Sequence, residues 1–167
     1  MGRRGLAAGL VSGSKRAATL ACALALGCGD AGRTPGERAL PVELGTGVSE
    51  YEPLAKGGVL VVYRGPQGGY HALAGLRADW ASVARPARVG ASLRIDDEVV
   101  AKGGGRVPLE RAADGGHTLH GLPVYFLSER VAERAFGQPA VLALELTDAD
   151  GRAAAAELHV VCVAHLP

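Results

Sequence analysis

Hydrophobic and polar positions fall into two regimes along the chain. From Tyr51 onward, short apolar segments are punctuated by Gly, Pro and Asp, which is the rhythm of an all-β domain. Residues 58–63 (GVLVVY) form a β-branched run and predict a strand. Residues 88–95 alternate cleanly, with Val89, Ala91, Leu93 and Ile95 on one face and Arg88, Gly90, Ser92 and Arg94 on the other. Shorter strands are expected at residues 98–101, 106–109 and 119–127. Near the C-terminus, Ala140, Leu142, Leu144 and Leu146 share a face, Asp148-Ala149-Asp150-Gly151 turns, and residues 152–163 return with Leu158, Val160, Cys162 and Ala164 toward the core. Gly151 accepts the positive φ that such a turn demands. Ala153 to Ala156 favour a helix by propensity alone, but the hairpin context outweighs four residues of preference.

One helix is expected at residues 128–136. Ser128 can cap it, Glu129 sits in the first turn, Arg134 near the end and Gly137 just past it. Residues 71–84 read two ways. Leu73, Leu76, Trp80 and Val83 recur at helical spacing, yet a strand over residues 69–77 fits the turn that precedes it.

The other regime is N-terminal. Arg3, Arg4, Lys15 and Arg16 precede the apolar run of residues 17–27 (AATLACALALG), and no acid occurs before Asp30. That run suits a signal-peptide core and is too short for a bilayer, which needs about 20 residues. Residues 29–51 contain five Gly, two Pro and mixed charge without a sustained period. They read as part of a flexible tether, with an ordered edge strand around Leu40 to Leu44 as the alternative. As a random coil, 23 residues would span roughly 25 Å.

The apolar run ends in Ala25-Leu26-Gly27-Cys28, which resembles the lipobox of bacterial lipoproteins. Residues 1–27 would then be a lipoprotein signal peptide, Cys28 the lipidation site and 28–51 a linker before a domain at 52–167. Cys22 is a rival, and cleavage by ordinary signal peptidase after Gly27 satisfies the same small-residue rule. Several acyl chains on Cys28 would hold the protein firmly, at about 0.8 kcal/mol per buried methylene. Gly29 rather than Asp after the cysteine points to the outer membrane, on its periplasmic face or at the cell surface. If Cys28 escaped lipidation, a disulfide between Cys28 and Cys162 would be open to it in the oxidising envelope.

Two resemblances concern the folded part. Tyr63-Arg64-Gly65-Pro66-Gln67-Gly68-Gly69-Tyr70-His71, with Glu52-Pro53-Leu54 before it and Leu127-Ser128-Glu129-Arg130 and the Asp-Gly hairpin after it, resembles the GPQGG-aromatic-His signature of lipoproteins from myxobacteria-like Gram-negative bacteria, a family that brings no activity with it. The final hairpin resembles that of immunoglobulin-like and PKD-type domains, which implies an immunoglobulin-like β-sandwich with one short helix. Gly65-Pro66-Gln67-Gly68 suits a β-turn, with Pro66 presetting φ and Gly69 placed for a bulge. The functional alternative is a binding loop of Gly65, Pro66, Gln67, Gly68, Gly69 and His71, whose glycine amides would hold an anion.

Composition narrows function mainly by exclusion. Among 167 residues, 18 basic and 17 acidic side chains leave a net charge of +1, and without residues 1–27 the balance becomes 14 basic against 17 acidic. That balance, with 4% aromatic residues, argues against nucleic acid as a partner. His71, His117, His120, His159, His165 and Cys162 show no metal-ligand spacing. In a strand, His117 and His120 would point to opposite faces. Cys162 reads as a small buried hydrophobe, and Asp96-Asp97 as a solvated turn. No nucleophile motif and no cofactor signature occurs. The expectation is a non-enzymatic envelope lipoprotein, structural or protein-interacting, partnered by the membrane through its lipid and by other envelope proteins. The alternative is a periplasmic ligand or metal binder using the loop around Gly65 to His71.

Overall fold

The computed structural model describes residues 40–82 and 84–165; Cys28, the signal segment and the first part of the tether lie outside the described residues. Ten strands and one helix follow in order: β1 (Glu43–Thr46), β2 (Glu52–Pro53), β3 (Gly58–Arg64), β4 (Tyr70–Arg77), β5 (Ala87–Ile95), β6 (Glu98–Val107), β7 (Glu110–Arg111), β8 (His117–Phe126), α1 (Glu129–Ala135), β9 (Pro139–Thr147) and β10 (Ala153–Ala164). Residues 71–77 are strand, not helix. The folded region also takes in residues read above as tether, because β1 pairs with β4 through Leu44 and Leu76.

The expected β-sandwich is wrong. Strand neighbours run β4–β3–β10–β9–β5–β6–β8, and β8 pairs back onto β4, which closes a seven-stranded barrel. Ala72 in β4 faces Val62 of β3 on one side and Val124 of β8 on the other. In a sandwich, the outermost strands would keep one edge free. Alternation along a strand decides which face is buried, but it does not say which strand lies alongside, so the sequence pattern serves both architectures equally. Around a closed ring of seven, directions cannot alternate throughout. The odd pairing here is β3 with β10, which run parallel while the other neighbours run antiparallel.

Inward positions are almost wholly aliphatic: Leu60 and Val62, Ala72 and Ala74, Val89 and Leu93, Leu122 and Val124, Leu142 and Leu144, Val160 and Cys162 are all buried. Outward neighbours such as Arg88, Lys102, Glu145 and Glu157 are exposed or point to solvent. A membrane-spanning barrel has the reverse arrangement, a polar interior inside an apolar belt. No helix among the described residues is long and apolar enough to cross a membrane.

Local irregularities mark the strands around this closure, one in the β5–β6 pairing and one between β4 and β8. Val100 is an extra residue between the pairs Leu93–Ala101 and Arg94–Val99, so Val100 and Ala101 are both buried. Opposite Gly75 of β4, β8 carries the additional pair His120 and Gly121, a second bulge that bends the wall. Where β6 crosses β8, Gly103 lies so close to Pro123 that a Cβ would overlap its carbonyl oxygen.

At one end of the barrel lies α1, with Ala132 and Ala135 buried in the core. The Ser128 hydroxyl accepts from the Val131 N–H at 3.2 Å, as its sequence position suggests. At the opposite end, Asp148 of the β9–β10 turn accepts from the backbone N–H groups of Ser82, Asp150 and Arg152 at 3.0, 3.0 and 2.9 Å. It also pairs with the Arg152 guanidinium at 2.7 Å. Arg152 lies over the Trp80 ring, whose Nε1–H donates to the Pro41 carbonyl at 2.7 Å. This network ties the last hairpin to the β4–β5 connection and to the point where the chain enters the domain.

The β5–β6 hairpin turns on Asp96 and Asp97 alone, both at positive φ, 48° and 64°. Such a turn prefers Gly at its second central position. Asp97→Gly is therefore expected to stabilise the protein by about 0.5–1 kcal/mol, read as a higher urea midpoint at unchanged m value.

Candidate functional site

The loop at residues 65–69 joins β3 to β4 at the α1 end of the barrel. The Gly68 N–H donates to the Gly65 carbonyl at 3.0 Å and the Gly65 N–H to the Gly69 carbonyl at 3.0 Å, which makes a tight hairpin turn over Pro66 and Gln67. Gly68 and Gly69 stand at φ +85° and +77°, and a Cβ on either would meet nothing within 4 Å. Glycine is required there for backbone conformation rather than for space. The Gly65 and Gly68 amides are both committed within the turn, so neither is turned toward an anion. Gly68, at positive φ, and Gly69 together oppose Gly65, which is the glycine bulge expected where the strand resumes, and regular pairing continues from Arg64–Tyr70.

What the turn does is set the register of the strands beside it. Tyr70 continues the inward row and meets Phe136 edge-on at 5.6 Å, beneath α1. His71 points outward. It stacks with Tyr63 of β3 at 5.9 Å and lies 5.9 Å from the Tyr125 ring of β8. On its other side, Tyr63 packs at 4.9 Å against His165, which follows β10 and donates its backbone N–H to the Val62 carbonyl at 2.8 Å. The row His165–Tyr63–His71–Tyr125 therefore crosses four adjacent strands on the outer wall, and Lys102 of β6 stands opposite Tyr125 as its pairing partner. Next to the row, Val59 and Val163 are 51% and 41% exposed, and Tyr125 is 58% exposed. This part of the outer wall presents exposed apolar and aromatic side chains, and of the candidate binding-loop residues His71 alone belongs to it. The sequence reading did not group Tyr63, Tyr125 and His165 with His71, because only strand pairing brings the four together.

The metal alternative fares poorly in this geometry. The Tyr63 ring separates His71 from His165, while His117 and His120 belong to the far end of the barrel. Among the described residues, no group of three His, Cys, Asp or Glu side chains is placed to hold a metal ion.

Cys162 faces the barrel interior opposite Leu60 and is fully buried. Burial pushes its thiol up to about 11. The Cys28 partner considered above lies outside the described residues, and Cys162 itself is not presented at the barrel surface. At neutral pH, the thiol is expected to resist an aromatic disulfide reagent until denaturant is added. Rapid labelling of native protein would contradict the inward placement.

No family model matches the chain, and no curated protein matches it in sequence.

Proposed function

We propose that the protein is a non-enzymatic lipoprotein of the cell envelope, anchored through lipid on Cys28, which presents the barrel as a protein-interaction module. The observation that carries the interaction role is the exposed row of Tyr63, His71, Tyr125 and His165 beside Val59 and Val163. Tyrosine supplies a large, stiff contact area with a polar tip, and apolar surface of this kind marks protein contacts more often than chance. The anchor rests on the lipobox-like run ending at Cys28, and a buried thiol at Cys162 is a poor partner for the competing disulfide.

The anchor is tested by labelling cells with palmitate, with and without globomycin, beside a Cys28→Ala variant. Label on the wild-type chain and none on the variant is expected; label retained by the variant overturns the anchor. For the surface, a photo-crosslinking residue at Tyr125 is compared with one at Glu145, exposed on β9. Adducts at Tyr125 and not at Glu145 are expected, and equal or no adducts at both remove this face as the contact.

A further inference from the structure

A polar concavity lies at the end of the barrel away from α1, where β6 leaves β8 and the chain returns as β7. Its volume is about 330 Å³, within the range of small-molecule sites, and its walls come from four separate segments. The loop after β1 supplies Glu50 and Tyr51, β7 supplies Glu110 and Arg111, and β8 supplies Thr118 and His120.

Each wall is held in place. Tyr51 donates its hydroxyl to the Leu44 carbonyl at 3.3 Å, and burial, assisted by Glu43, pushes its phenol up to about 12, so it stays a neutral hydroxyl. The Gly121 N–H donates to the Gly47 carbonyl at 3.0 Å, pinning the loop to β8. Thr118 is 8% exposed, and the bulge at His120 and Gly121 sets where His120 projects beside it. Bulges commonly re-aim a side chain next to a site. Arg77 also borders the space, but Asp79 and Asp114 already occupy it, at 2.9 and 2.6 Å. His120 stands 3.9 Å from Glu110. That leaves Arg111 and Glu50, from facing segments, without an ion-pair partner among the described residues.

We infer that this concavity binds a small zwitterion of the amino-acid or short-peptide class, its carboxylate on Arg111 and its ammonium on Glu50, with Thr118 and Tyr51 as polar walls. A simple anion would face Glu50 and Glu110, and a simple cation would face Arg111, so each meets a like charge in the lining. A molecule carrying both charges meets both partners. The arginine fork suits a carboxylate, and the hydrogen bonds would be charge-assisted.

Isothermal titration of the purified protein with diglycine tests this, beside acetate, ethylammonium and a neutral disaccharide. Millimolar or tighter binding of diglycine is expected, with acetate and ethylammonium weaker by about tenfold or more. Arg111→Ala and Glu50→Gln, both at exposed positions, should each weaken diglycine by about tenfold while the melting midpoint holds. Glu145→Gln, on the opposite wall of the barrel, should leave the affinity unchanged. Absence of diglycine binding at millimolar concentration overturns the inference. So does acetate or the disaccharide binding as tightly as diglycine, or affinity that survives Arg111→Ala.

Discussion

Replacing Gly103 by valine is expected to remove about 3 kcal/mol of stability or more, and to do so by opening the barrel at one seam. Gly103 is paired on both sides, with Ala91 of β5 and Val124 of β8. A Cβ there overlaps the Pro123 carbonyl oxygen and sits 3.0 Å from the Val124 Cα. Both obstacles are backbone, so no rotamer change relieves them. Either β6 separates from β8 or β8 shifts against β4, and either movement breaks the ring. Gly105, two residues along the same strand, supplies the control, because a Cβ on it would meet nothing within 4 Å. Gly105→Val should change stability by no more than about 0.5 kcal/mol. Thermal melts of both variants give the comparison, and equal losses would mean that β-propensity rather than seam crowding governs this strand.

Asp148→Ala is expected to cost about 3 kcal/mol, because it strips the acceptor from three backbone N–H groups and the counter-ion from Arg152 at once. Arg152→Ala should cost less, since its guanidinium is partly in water and would leave the backbone bonds intact. Burial opposes the charge on Asp148, but the N–H groups of Ser82 and Arg152, the Arg152 side chain and the Asp150 N–H outweigh it and hold the carboxyl below the usual range. The sign follows directly. A depressed folded value makes the contribution complete above the unfolded carboxylate value of about 3.9, and it fades as pH falls below that value and through the lower folded one. Urea midpoints measured from pH 7 down to pH 2 should thus fall more steeply at the acid end for the wild type than for Asp148→Asn. Parallel curves would remove Asp148 as the group responsible.

Local chemistry was legible in the sequence where neighbours in the chain decide the outcome. The β9–β10 hairpin formed as the alternation of Leu142, Leu144 and Leu146 and the Gly151 turn required, and α1 started at Ser128 and ended by Gly137. Leu73 and Leu76 looked helical by spacing because they sit on opposite faces of β4, Leu73 outward and Leu76 in the core, a combination that a period of two does not flag. Non-local choices were not legible. The parallel pairing of Val59 with Val161 joins residues about a hundred positions apart, and nothing in either run names the other. The same holds for the aromatic row, gathered from β3, β4, β8 and the end of β10, and for the polar concavity, gathered from four segments. Asp148 was readable as a turn residue, but its bond to Ser82 depends on the folded ring. The immunoglobulin-like expectation failed for the same reason: its strands were largely right and its neighbours were not.

Closure of the ring is the claim on which the site geometry depends, since it alone places Tyr125 beside His71. Cross-strand nuclear Overhauser contacts around β4 test it most directly. The barrel predicts contacts from residues 71–74 to both walls, Ala72 to Val62 in β3 and to Val124 in β8, with slow amide exchange along the strand. Contacts to β3 alone, with rapidly exchanging amides along the other edge of β4, would contradict the closed barrel.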